Sequence, residues 1–274
     1  GLLFDGAGND EYSLDYSGQG AGYFGLGYHF DVSGDDRFYL LGDGQGFGGP
    51  GGVGALANFT GDDHYVAEPL AAKAGRPDSH SQDRITNSNA QGAGMGRRRD
   101  LTDGHNWGGG LGLILDIEGN DTYESGNWSL GTGYWYGTGI VYEGGGDDLY
   151  RSVYFTQASG AHFCIGAIID EGGNDRHVLY DTGGAGLAFG WDFTTALLID
   201  IGGDDTYQAR GNSMARADIR SNALLIDIGG DDTYTFPQKA GGVGISPFND
   251  RYRRPGYSYG PYSYYGNSFG LLLA

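Results

Sequence analysis

A single cysteine, Cys164, in 274 residues rules out an internal disulfide framework, and no Cys/His spacing reads as a zinc site, so the redox compartment stays open. Proline is scarce at 7 residues, and the 56 glycines follow no strict triplet period, which excludes a collagen-like helix. Positive charge is short as well. Sixteen Lys and Arg against 35 Asp and Glu leave a net charge of −19. This argues against nucleic acid, whose phosphates need clustered cations, and suits a divalent cation better. No apolar run approaches the roughly 20 residues that span a bilayer, and no basic, then apolar, leader opens the chain. The chain instead starts in mid-pattern at Gly1-Leu2-Leu3-Phe4-Asp5, as expected of a processed or excised piece of a longer protein.

What the chain has is glycine, 21 Tyr, 13 Phe and a repeat. A chain so aromatic can bury enough apolar surface to fold. The core Gly-(Asp/Asn)-Asp ends at Asp10 and returns at Asp36, Asp63, Asp121, Asp148, Asp175, Asp205 and Asp232, with spacings of 26, 27, 58, 27, 27, 30 and 27. A fixed period of this length marks a solenoid. The expected fold is an all-β parallel β-helix of about 27 residues per coil, forming one domain over 1–274. The 58 predicts one degenerate or looped coil between Asp63 and Asp121, with an insertion near 67–106. The 30 predicts a short insertion near Gly183-Gly184-Ala185. After Asp232 the pattern fades into a Tyr/Gly/Pro-rich loop near 245–266, until Gly270-Leu271-Leu272-Leu273 resembles the opening strand of another coil.

Each coil offers three strand candidates: an apolar run such as Ala196 to Asp200, a short run after the turn such as Thr206-Tyr207-Gln208, and a Gly-rich run such as Gly131 to Gly137. Stacking at about 4.8 Å turns equivalent positions into columns. One is the Asp10 to Asp232 series; five residues earlier stand Asp5, Asp31, Asn58, Asp116, Glu143, Asp170, Asp200 and Asp227. Two carboxylate rows are thus expected along one edge. Like charges about 5 Å apart repel, so something must neutralise them. Each Asp can accept backbone N–H groups of its own turn as an Asx-type cap, or carboxylates of successive coils can hold Ca²⁺, which wants six to eight oxygens.

Gly6-Ala7-Gly8-Asn9-Asp10-Glu11-Tyr12 and Gly144-Gly145-Gly146-Asp147-Asp148-Leu149-Tyr150 resemble the second half of the hemolysin-type (RTX) nonapeptide. The resemblance covers about seven residues of each coil, and that family's coil, two nonapeptides or about 18 residues, is shorter than this one. It implies a Ca²⁺-loaded parallel β-roll located outside the cell. The candidate metal residues are Asp5, Asp10, Asp31, Asp36, Asp63, Asp116, Asp121, Asp148, Asp170, Asp175, Asp200, Asp205, Asp227 and Asp232.

A further column, Tyr12, Phe38, Tyr65, Tyr123, Tyr150, His177, Tyr207 and Tyr234, is expected as a stacking ladder, with a sugar-binding strip as the alternative. The apolar strand is apolar on both faces (Leu197 and Ile199 beside Leu198), which points to a covering segment or a contact surface. Eight residues before the first carboxylate column, Trp135, His162 and Asp192 fall in register, and a His–Asp contact there could serve acid/base chemistry, with Arg97, Arg98, Arg99, Asp100, Asp103 and His105 nearby. The many Gly-x-Gly triplets open no helix and are repeat composition. The leading expectation is a non-catalytic extracellular or surface solenoid that binds calcium and acts in assembly or adhesion, by self-association or within a larger complex. The alternatives are a carbohydrate-active β-helix enzyme, a lyase or hydrolase taking polysaccharide, and a filament subunit in which the similar first and last strands stack head to tail.

Overall fold

A computed structural model describes residues 1–77, 84–98, 104–180, 184–209, 212–235 and 268–274. They form a right-through stack of parallel strands in four sheets. The broadest sheet has nine strands, from Leu2–Phe4 at one edge to Phe269–Leu273 at the other, in the order in which the chain supplies them. A second sheet of eight strands runs from Glu11–Tyr16 to Thr233–Thr235. Two narrower sheets of five strands close the coil. The only helix among the described residues is the single turn Ala71–Ala74, so none is long and apolar enough to cross a membrane.

Among the described residues every strand pairing within the four sheets is parallel and joins a strand to its copy one coil away, as in Ile165↔Thr195, Ile168↔Leu198 and Asp170↔Asp200. Period-two alternation then sorts side chains by face. In Thr138–Glu143 the residues Gly139, Val141 and Glu143 are buried, and Thr138, Ile140 and Tyr142 are not. The inward column Leu56, Ile114, Val141, Ile168, Leu198 and Leu225 is wholly buried and forms the core with the aromatic column of the neighbouring sheet.

The structure corrects the sequence reading in three places. A full coil has four strands: of the expected Gly131 to Gly137 only Gly133–Tyr134 is strand, and a separate strand, Asn127–Ser129, precedes it across a corner at Leu130 and Gly131, where φ is +52° and +64°. No extra coil lies between Asp63 and Asp121. Val53–Ala57 pairs directly with Leu111–Asp116, and His64–Ala67 with Thr122–Glu124. The span is one coil, whose strands Asn87–Ala90 and Gly94–Met95 lie in the narrow sheets, with excursions on either side. The insertion therefore splits around these strands instead of filling 67–106. Finally, the carboxylate rows run inside the solenoid and not along an outer edge: from Asp31 to Asp205 both columns are buried. Residues 181–183, next to the predicted three-residue insertion, and the predicted loop 245–266 lie outside the described residues.

Candidate metal centre

The first carboxylate column stands at or beside the end of the broad-sheet strands up to Asn222–Ile228, shortly before the turn that supplies the second. Tyrosine hydroxyls of the aromatic column reach it. Tyr65 Oη donates to Asp116 at 2.6 Å, Tyr123 to Glu143 at 2.7 Å, Tyr150 to Asp170 at 2.7 Å and Tyr207 to Asp200 at 2.6 Å, and Tyr12 bridges Asp31 (2.7 Å) and Asp5 (3.1 Å). Tyr234 donates likewise to Asp227. From Phe38 to Tyr234 the rings lie parallel within 6° at centroid spacings of 4.5–5.2 Å, with His177 taking one place. The stacking ladder is therefore real. Tyr65, Tyr123, Tyr150 and Tyr207 show no surface, so this column offers no strip to a sugar.

The second column is a ladder of its own. Asp10 N–H donates to Asp36 Oδ1, Asp36 to Asp63, Asp63 to Asp121, Asp121 to Asp148, Asp148 to Asp175 and Asp175 to Asp205, all at 2.6–2.7 Å, and Asp205 to Asp232 at 3.0 Å. Each carboxylate thus caps the preceding coil, not its own turn. Backbone amides also take one oxygen of Asp5, Asp116 and Asp170.

These bonds leave a definite remainder. The Oδ2 atoms of Asp36, Asp121, Asp148, Asp175 and Asp205, Oε1 of Glu143, and Oδ1 of Asp31, Asp200 and Asp227 are buried and accept no hydrogen bond. An unsatisfied buried carboxylate oxygen is costly, so each needs a proton or a cation. Successive coils gather the carboxylates into trios: Asp5/Asp10/Asp31, Asp63/Asp116/Asp121, Asp121/Glu143/Asp148, Asp148/Asp170/Asp175 and Asp175/Asp200/Asp205, each offering one oxygen per residue within 4.8 Å of the others. That span is about twice a Ca²⁺–oxygen distance, the widest separation two ligands of one ion can have. Two trios, Asp121/Glu143/Asp148 and Asp175/Asp200/Asp205, present three free oxygens each and share no residue.

Burial, helped by the neighbouring carboxylates, pushes Asp121 and Asp175 up to about 9, Asp63 and Asp148 to about 8 and Asp205 to about 7, and drives Glu143 in the same direction. Without a cation Asp63, Asp121, Asp148 and Asp175 favour their protonated forms at neutral pH, and a cation entering beside them displaces those protons. The donors are all hard oxygens, the set chosen by Ca²⁺, Mg²⁺ or Mn²⁺ over zinc or copper.

One coil departs from the series. Asn58 stands where the others carry a carboxylate, and its Nδ2 donates to Asp63 Oδ2 at 2.6 Å, while its Oδ1 accepts the Phe59 N–H at 2.7 Å. Sequence reasoning also missed Gln19, Gln45, Gln91 and Gln157. Their Nε2 groups clamp carbonyls of two successive coils, as Gln45 does with Phe38 and Val66 at 3.1 and 3.2 Å. The signal for three of them was a Gln seven residues after Tyr12, Phe38 and Tyr150; Gln91 follows Tyr65 by 26 residues, so the excursion hid it.

Trp135, His162 and Asp192 stand in one row, at corners between a narrow sheet and the broad one, each with φ between +44° and +69°. His162 Nδ1 lies 2.7 Å from Asp192 Oδ2, and Nε2 lies 2.7 Å from an Arg98 guanidinium nitrogen. Arg98 in turn sits over Trp135 at 5.6 Å. Both imidazole nitrogens are thus engaged by side chains, with Arg98 donating to Nε2 and Nδ1 donating to Asp192. Arg99, Asp100 and Asp103 lie outside the described residues, and Arg97 pairs by backbone with Trp107, away from the trios.

No family model, curated protein or solved structure matches the chain.

Proposed function

We propose that the protein is a non-catalytic solenoid scaffold, working outside the cell or at its surface, which holds calcium inside its carboxylate column as part of its fold. One observation carries the reading: in two trios of buried carboxylates, Asp121/Glu143/Asp148 and Asp175/Asp200/Asp205, one oxygen of each residue lies within 4.8 Å of the others, and every residue keeps an oxygen that no protein donor satisfies. Calcium is favoured within its class because it tolerates irregular, carboxylate-rich sets, whereas Mg²⁺ demands a near-ideal octahedron and retains its waters. A scaffold is favoured over an enzyme because His162 presents no free ring nitrogen to a substrate.

The test is calorimetry with metal analysis. Chain equilibrated with calcium and freed of excess is expected to retain two ions, one per trio with three free oxygens. EDTA should lower the melting temperature, since an ion bound only to the native state stabilises it by about 2.7 kcal/mol at a hundredfold excess over Kd. Asp200→Asn repeats the natural Asn58 and should remove one ion while keeping the fold. Identical melts with and without EDTA, and no retained calcium, would leave protons as the only neutralising partner.

A further inference from the structure

We propose that the outward face of the nine-stranded sheet is a dimer interface, paired with the same face of a second copy of this chain. The inference is independent of the metal reading, because it uses the opposite faces of the same strands.

Parallel register turns the outward positions into three long columns, two of them aliphatic or aromatic throughout. One runs from Leu2 and Tyr28 through Leu113, Ile140 and Leu197 to Leu271, the other from Phe4 and Phe30 through Leu115, Tyr142 and Ile199 to Leu273. Neither column contains a charged residue. Ile201 and Ile228 extend the apolar area toward the turn and are 40% and 53% exposed. The adjoining eight-stranded sheet shows that solenoid geometry does not demand this. Its outward positions carry Arg37, Glu124, Arg151, Arg176 and Gln208, and Arg151 pairs with Glu124 at 3.1 Å.

Parallel sheets are ordinarily covered on both faces. Nine strands about 4.8 Å apart, with these two columns and the third, uncharged but partly polar one from Leu26 and Val53 through Leu111, Thr138, Ile165, Thr195 and Asn222 to Phe269, present on the order of 800 Å². That equals what each partner contributes to a standard interface of about 1,600 Å². The strand columns of this face are uncharged, and its one carboxylate, Glu171 in the row of Ile201 and Ile228 at the rim, is tied to the Tyr142 hydroxyl; such a face is self-complementary under a two-fold axis, the commonest oligomer symmetry. A net charge of −19 disfavours an anionic lipid surface. It does not oppose pairing here, because the carboxylate columns point away from this face.

Sedimentation of the whole chain tests the proposal. The expected result is one dimeric species, with Leu197→Lys/Leu224→Lys and, independently, Ile140→Lys/Ile169→Lys giving monomers of unchanged circular dichroism. These outward positions leave the core intact, so at least one pair should fold. A monomeric wild type would overturn the proposal, whether or not it binds vesicles of neutral lipid. So would a dimer that survives both folded variants, or a series of ever larger species, which edge-to-edge growth would produce.

Discussion

At the scale of single residues, Asn58 is the most instructive position. Seven coils place a carboxylate there, and the eighth places an amide whose N–H sits where the others need a proton or a cation. Cys164 is a second such substitution. Its Sγ lies 3.2–3.3 Å from the carbonyls of Gly133 and Ala161 and from Thr194 Oγ1, at a corner where the next coil uses Thr194 bonded to the Trp191 carbonyl. It is a buried stand-in for a hydroxyl. Burial pushes its thiol up to about 12, well above the free value near 8.5. The folded state therefore holds this proton more tightly than the unfolded one, so its contribution to stability is complete below about pH 8.5 and is lost as pH rises toward 12. A thiol reagent should label the native chain no faster at pH 9 than at pH 7, and label it readily in urea; a native rate that climbs with pH would show an accessible thiolate. Of the residue-level features, both carboxylate columns were legible, because eight copies within one chain expose any fixed position. Their burial was not legible, since strand alternation places a residue on a face without saying which face is inside when both are apolar.

At the scale of the element, the turn before each second-column Asp is dictated by backbone contact. A Cβ on Gly146 would lie 1.3 Å from the Gly119 carbonyl oxygen, with φ at +150°, and Gly34, Gly173 and Gly203 meet the preceding coil at 1.4–1.5 Å. The glycine column is thus what lets coils stack at strand spacing. Gly146→Ala should cost on the order of 3 kcal/mol in urea unfolding, through overlap and left-handed strain together. Gly108→Ala, with nothing within 4 Å, should be neutral to within about 0.5 kcal/mol. The other corners were hidden from sequence reading. Trp135-Tyr136, His162-Phe163, Asp192-Phe193 and Ile219-Arg220 all turn with positive φ, although few of these residue types signal a turn. Ring stacking between Tyr136, Phe163 and Phe193, at 5.1 and 4.7 Å, holds the corner ladder in place. The corner between the two narrow sheets, Leu130-Gly131 and its equivalents Gln157-Ala158, Leu187-Ala188 and Met214-Ala215, also turns with positive φ on residue types that, Gly131 apart, carry no turn signal, so the fourth strand of the coil was hidden.

At the scale of the molecule, the 27-residue period sufficed to give a parallel solenoid, and arithmetic failed only at the 58-residue step. A loop of coil length and a coil have the same length; what separates them is apolar alternation, which Asn87–Ala90 and Gly94–Met95 are too short and polar to display. Because each coil touches only its neighbours, stability should vary along the axis. Hydrogen exchange is expected to be slowest at the amides of Val141, Ile168 and Leu198 and fastest at the two edge strands, Leu2–Phe4 and Phe269–Leu273, each of which has a neighbour on one side only. Uniform protection would mean that the stack opens all at once. The free oxygens add a longer rhythm. Between Asp116 and Asp205, backbone amides take an oxygen of Asp116 and Asp170 but not of Glu143 and Asp200, so the chemical period in this stretch is twice the structural one. Excising 149–175 would restore the strand register yet force Asp148 to serve both neighbouring clusters, whereas removing a pair of windings would preserve parity; a molecule built this way grows or shrinks without conflict only in even steps.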